Sequence, residues 1–151
     1  MKSTSLILNS LTILTMTVMS LLSSCAEDKQ TKIFSEYMMK EFQTEIPSKL
    51  TYYLYVPENI GCHSCNAKSI DYFCYSKDLK RNSFLITSKK NLKGFTPNLN
   101  ENFLIESNIK LEDYNLKTQN ATIITVEDKK IKNIQPITPD NLNEVLNILK
   151  N

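Results

Sequence analysis

Glycine is nearly absent from this chain: Gly61 and Gly94 are the only two in 151 residues. A phosphate- or dinucleotide-binding loop needs several glycines close together, so that the backbone can approach the phosphates. That class of nucleotide enzyme is excluded, and turns must be built largely from Asn, Asp and Lys. Tryptophan is missing altogether, and His63 is the only histidine. No charge of one sign dominates, with 18 Lys and Arg against 16 Asp and Glu. The charges are mixed along the chain and form no basic block, which argues against a nucleic-acid partner. There is no internal repeat and no low-complexity segment.

A long apolar run is also missing, except at the start. Residues 1–24 read MKSTSLILNSLTILTMTVMSLLSS, with one lysine and then an apolar stretch from Leu6 to Leu22 diluted by Ser, Thr and Asn. At about 17 residues it is marginal for a membrane-spanning helix. A charged start and an apolar middle are the marks of a signal peptide, which is not part of the mature fold. The next residues, Leu22-Ser23-Ser24-Cys25, resemble the lipobox of bacterial lipoproteins, in which the cysteine is acylated and becomes the first mature residue. An ordinary secretory signal followed by a chance cysteine is the alternative. The resemblance implies a lipid anchor at Cys25, a palmitate-type acyl modification holding the chain on a membrane without a spanning helix. The short polar segment 25–31 then reads as a tether, and 32–151 as the folded domain. Glu27-Asp28 in that tether resembles the acidic signals that send some lipoproteins to the cell surface; a plain solvated linker explains them equally well. The expected location is the cell envelope, lipid-anchored at the outer membrane, on its periplasmic face or at the cell surface.

The mature chain of 127 residues (151 minus 24) is one domain's worth and large enough to bury a core. IFSEYMMKEF spaces Ile33, Tyr37, Met38 and Phe42 at helical intervals, with Pro47 as a stop. KLTYYLYVP is a β-branched and aromatic strand ending at Pro57. A helix follows, with Ala67, Ile70, Phe73 and Cys74 on one face, running to about Leu79. NSFLITS is a short strand. Between Lys89 and Gln119, NLNENFLIES reads as a helix and NIKLEDYN as an extended piece. ATIITV, EDKK and IKNIQPI form a β-hairpin. Thr138 as N-cap and Pro139 at the first helical position open a closing helix with an apolar stripe at Leu142, Val145, Leu146 and Leu149. Strands alternating with helices imply a sheet whose first strands are parallel and covered on both faces.

Between the first strand and its helix stands Cys62-His63-Ser64-Cys65. This spacing serves a redox dithiol, a metal clip or a structural disulfide. With Cys25 acylated, three cysteines remain, which in an exported chain means one pair and one spare. Cys74 lies nine residues from Cys65, on the opposite side of a helix, and shares the core stripe with Ile70. It reads as a buried inert thiol. The same geometry turns one ligand away from any zinc site built on Cys62, His63, Cys65 and Cys74. No metal and no cofactor are expected.

The element order, with a CxxC between a buried strand and the next helix, resembles the thioredoxin fold over nearly all of residues 33–151. YLYVPENIGCHSC looks like the strand and active-site turn of envelope thiol–disulfide oxidoreductases. YNLKTQNATIITVEDKKI looks like their approach to the hairpin. The resemblance implies an α/β, thioredoxin-like three-layer α/β/α sandwich with a mixed central sheet. It also implies Cys62 as the attacking thiolate, activated at a helix start, and Cys65 as the shielded resolving partner. His63 could add positive charge beside Cys62; an exposed turn histidine without a role is the alternative. Partners would be thiols or disulfides of envelope proteins. The sequence departs from the family at three points. Active members carry a proline before the first hairpin strand, where this chain has Asn120-Ala121 and no proline between Pro97 and Pro136. Many carry a tryptophan before the first cysteine, where Gly61 stands here. A buried acid six residues before that cysteine would fall at Val56. Two function classes follow: an envelope oxidoreductase, and a non-catalytic binding lipoprotein that keeps Cys62–Cys65 as a structural disulfide.

Overall fold

The computed structural model describes residues 29–96, 102–116 and 118–151. Helix α1 covers residues 29–42 and strand β1 Thr51–Val56. Helix α2 spans His63–Tyr75, β2 Ser83–Ser88 and β3 Phe103–Glu106. A single 3₁₀ turn, Leu111–Tyr114, precedes β4 (Thr122–Glu127), β5 (Lys130–Pro136) and helix α3 (Leu142–Asn147). The sheet has five strands in the order β3-β2-β1-β4-β5. β1 pairs parallel with β2, and β2 with β3, while β4 and β5 run antiparallel.

β1 shows why the sheet is covered twice. All six of its residues are buried, and side chains along a strand alternate between faces. Tyr52, Leu54 and Val56 join a core with Leu85, Ile123, α2 (Ile70, Phe73) and α3 (Val145, Leu146). Tyr53 and Tyr55 join the opposite core with Ile86, Ile124, Val126 and α1 (Phe34, Tyr37, Met38). Each such buried side chain contributes roughly 1.5–3 kcal/mol. α1 thus lies on one face and α2 and α3 on the other, an arrangement compatible with a three-layer α/β/α sandwich.

The hairpin turns on Asp128 and Lys129, with φ of 54° and 58°. Positive φ at both central residues is what a two-residue turn matched to the strand twist requires.

Several expectations are corrected. The helix expected over NLNENFLIES is a strand in its described part. Phe103 pairs with Leu85 and packs against the α2 core, while Leu104 pairs with Ile86 and packs against the α1 core. Apolar neighbours that alternate between two cores have the period of a strand. The extended piece expected over NIKLEDYN contains the 3₁₀ turn, because the buried carboxylate of Glu106 accepts the Leu111 N–H at 2.8 Å and turns the chain. α2 stops at Tyr75, where Ser76 takes an extended conformation (ψ 128°). α3 begins at Leu142, not after Thr138. The Asn141 carboxamide oxygen accepts the Thr138 N–H at 2.7 Å, which closes 138–141 into a turn ahead of the helix. Of the expected apolar stripe, Val145 and Leu146 are buried within α3 and Leu142 partly so, while Leu149 is buried in the turn after the helix ends at Asn147. α1 already runs at residue 29, so the last part of the expected tether belongs to the fold, where Thr31 Oγ1 accepts the Ile131 N–H at 3.0 Å. Cys25 and the signal segment lie outside the described residues. No helix among the described residues is long and apolar enough to cross a membrane.

Candidate functional site: the Cys62–Cys65 turn

β1 delivers the chain to the C-terminal end of the parallel strands, and six residues, 57–62, carry it to α2. Two asparagines hold that loop. Asn66, on the first turn of α2 and 7% exposed, donates from Nδ2 to the carbonyls of Pro57 and Ile60, each at 3.3 Å. Asn91, after β2, donates to the carbonyls of Val56 (3.2 Å) and Pro57 (3.0 Å). A loop whose carbonyls are claimed by both flanking segments keeps one conformation, and Cys62 is placed by it.

Gly61 makes the placement possible. Its φ is +86°, where a side chain is strained, and a Cβ there would lie 2.5 Å from the Gln119 carbonyl oxygen and 2.9 Å from Asn120 Oδ1. The residues before β4 therefore press directly against the CxxC turn. Asn120-Ala121, singled out for their missing proline, are the neighbours of this turn, and Ala121 is fully buried in the same core as Cys65.

Cys62 is the N-cap of α2. Its Sγ accepts the Cys65 N–H at 3.4 Å and lies 3.2 Å from Ser64 Oγ. Hydrogen bonds, first with the Cys65 side chain and then with the Ser64 hydroxyl and the backbone N–H of Cys65, lower the Cys62 thiol to about 7. A sulfur at this place meets free N–H groups and the positive end of the helix dipole. Cys65, 2% exposed, is pushed upward by burial and then by the Cys62 thiolate beside it. The two sulfurs are therefore opposite in character: one reachable and readily ionised, one shielded and held as thiol.

His63 is the first residue of α2 and exposed, and it faces a cleft of about 450 Å³ shared with Lys90, Lys93 and Phe95. Cys74 is half-buried, packed at the edge of the α2 core, and burial, followed by the negative charge of Asp71, raises its thiol to about 11. It does not join the other two cysteines. Among the described residues no three His, Cys, Asp or Glu side chains gather in a way that would hold a metal ion.

Spacing singled out Cys62, His63 and Cys65. It missed Ser64, Asn66 and Asn91, whose roles depend on what the fold brings beside them. An Asn four residues into a helix after a CxxC is ambiguous until its carbonyl partners are known. Gly61 carried a usable signal, being one of two glycines in the chain and adjacent to the motif. No family model, no curated protein and no solved structure matches this chain.

Proposed function

We propose that this protein is a thiol–disulfide oxidoreductase of thioredoxin-like fold, held by lipid at Cys25 on a membrane of the cell envelope, with Cys62 as nucleophile and Cys65 as resolving thiol. The observation that carries the reading is the asymmetry of the pair: Cys62 caps α2 with its thiol lowered to about 7, and Cys65 is buried behind it with its thiol raised. A structural disulfide needs no such difference, whereas exchange does, because a thiolate attacks and a second thiol must then release the mixed disulfide.

A second reading, a binding module with Cys62–Cys65 as a structural disulfide, is favoured by one feature. Asn120, not a proline, faces the turn at Gly61, so the surface for a partner's backbone differs from that of active thioredoxin-like enzymes.

Alkylation as a function of pH separates the two. Cys62 should react half-maximally near pH 7, and Cys65 should stay slow throughout. Cys65→Ser should accumulate mixed disulfides with envelope proteins, and Cys62→Ser should accumulate none. If both thiols titrate alike in the ordinary cysteine range and neither mutant traps a partner, the binding-module reading replaces the enzyme.

A further inference from the structure

The cleft beside the dithiol is built asymmetrically in charge. On one wall stand Lys90 and Lys93, both exposed, and His63 opens α2 on the other. Its acid is Glu58, and that carboxylate is already engaged by two ammonium groups, Lys110 at 3.0 Å and Lys90 at 3.4 Å. These contacts, the Lys110 hydrogen bond first, keep Glu58 ionised by lowering its pKa. One negative charge between two positive ones leaves the cleft an excess cation before Lys93 is counted. Lys89, Lys68 and the acid Asp71 are exposed and each adjoins a lining residue in the chain, Lys90, Ala67 and Ile70 respectively. The segment from Leu79 to Asn100 contains no acidic residue, in a chain whose charges as a whole nearly balance. Between the charges the lining is mixed, with Ala67, Ile70 and Phe95 as its apolar part and Asn59, Asn66 and Asn91 as its polar part.

Resting on the redox reading above, we propose that this cleft is the docking groove for the redox partner, and that the partner is a protein segment whose disulfide is flanked by carboxylates and an apolar side chain. Cys62 does not itself line the cleft, but the next residue, His63, does, so residues flanking a disulfide held at Cys62 on that side come within reach of the wall that carries Lys90 and Lys93. The Cys62 thiolate attacks one sulfur of the partner's disulfide, forms a mixed disulfide and expels the other sulfur as a thiolate. Cys65 then attacks Cys62 Sγ, its proton passing to the leaving sulfur. The products are the Cys62–Cys65 disulfide and a partner dithiol, with two electrons transferred. Cationic walls hold the incoming carboxylates and speed encounter, an effect that salt screens.

Two synthetic peptide disulfides test this, identical except for a pair of glutamates or a pair of lysines beside the bonded cysteine. The reduced protein should react with the acidic peptide about 10-fold faster at low ionic strength, and the gap should close at roughly 0.5 M salt. Alkylation of Cys62 by neutral iodoacetamide serves as the reference rate in each variant. Relative to it, Lys93→Glu, and Lys90→Gln with Lys93→Glu, should lose and then invert the preference. Equal rates with the two peptides, or a preference that survives both variants, would overturn the docking groove while fast exchange kept the redox reading standing. If neither peptide reacts faster than free cysteine does, the redox reading falls and the groove with it.

Discussion

Among single residues the most consequential outside the dithiol is Glu106. It is 6% exposed at the end of β3, accepts the Tyr37 hydroxyl at 2.7 Å and the Leu111 N–H at 2.8 Å, and leaves its second oxygen buried without a partner. The Tyr55 hydroxyl and a Glu112 oxygen are also buried without partners in the described structure. Burial raises the Glu106 carboxyl, and the charges of Glu112 and Glu41 push the same way against the two hydrogen bonds that lower it. A folded-state value raised above the unfolded one means the residue favours folding while protonated in both states. That contribution is lost as pH rises from the ordinary carboxyl range through the raised value. Glu106→Gln keeps an acceptor for Tyr37 and Leu111 and removes the charge. Its melting temperature relative to the parent protein should therefore rise with pH across that window, and match or fall below the parent's at the acid end. A difference that stays constant with pH would show that Glu106 does not titrate between the two states. The Tyr37–Glu106 bond joins α1 to the end of β3, so residue chemistry here fixes how the two segments meet. Nothing in the local sequence marked Glu106 as buried, because its partners lie 69 residues before it and 5 after it.

At the scale of elements, what could be read beforehand follows how local the determinants are. The hairpin was legible because the charged EDKK separates two β-branched runs and Asp128 is a residue that takes positive φ readily; the positive φ of Lys129 was not. β1 was legible because a strand buried on both faces is apolar or aromatic nearly throughout. β3 was not, since its four residues sit between Asn102 and Ser107 and become a strand by pairing with β2. The start of α3 was misplaced by three residues because Asn141 turns its carboxamide back to Thr138, a choice that propensity does not encode. The candidate site divides the same way: the CxxC spacing was visible and the resemblance set Asn120-Ala121 facing it, but the close approach of Gly61 to the Gln119 carbonyl was not legible. That contact predicts a difference between the two glycines, both at positive φ. Gly94→Ala meets open space and should cost only the backbone strain, about 1 kcal/mol. Gly61→Ala must also displace the Gln119 carbonyl, so it should cost on the order of 2 kcal/mol or more and slow alkylation of Cys62. Urea unfolding of both variants measures the difference; equal losses would mean that the 119–120 loop gives way freely and does not position the turn.

For the whole molecule, the proposed function raises the question of how a domain with a reachable thiol at one end of its sheet would meet a partner at a membrane. No helix among the described residues is long and apolar enough to cross a membrane; under the proposed function, attachment rests on acyl groups at Cys25. α1 is already helical at Lys29, four residues beyond that cysteine. Four residues extend at most about 14 Å, so a lipid at Cys25 would hold the domain against the headgroups and leave it little freedom to swing. A redox partner would then have to be a membrane protein, or one that comes to the membrane, and its acidic segment would have to reach the Lys90–Lys93 wall from there. Replacing Cys25 by Ser removes the acyl acceptor without touching the described domain. The variant should move from the membrane fraction into soluble or unprocessed forms, and its Cys62 should keep the same alkylation profile because no contact of the dithiol depends on the anchor. Trapping through Cys65→Ser should fall in the unanchored protein, since the partner would no longer be concentrated at the same surface. Unchanged membrane association and electrophoretic mobility of Cys25→Ser would show that Cys25 carries no lipid. Retained association with altered mobility would mark the unprocessed form, still held by its uncleaved signal segment, and is the expected result where cleavage depends on Cys25.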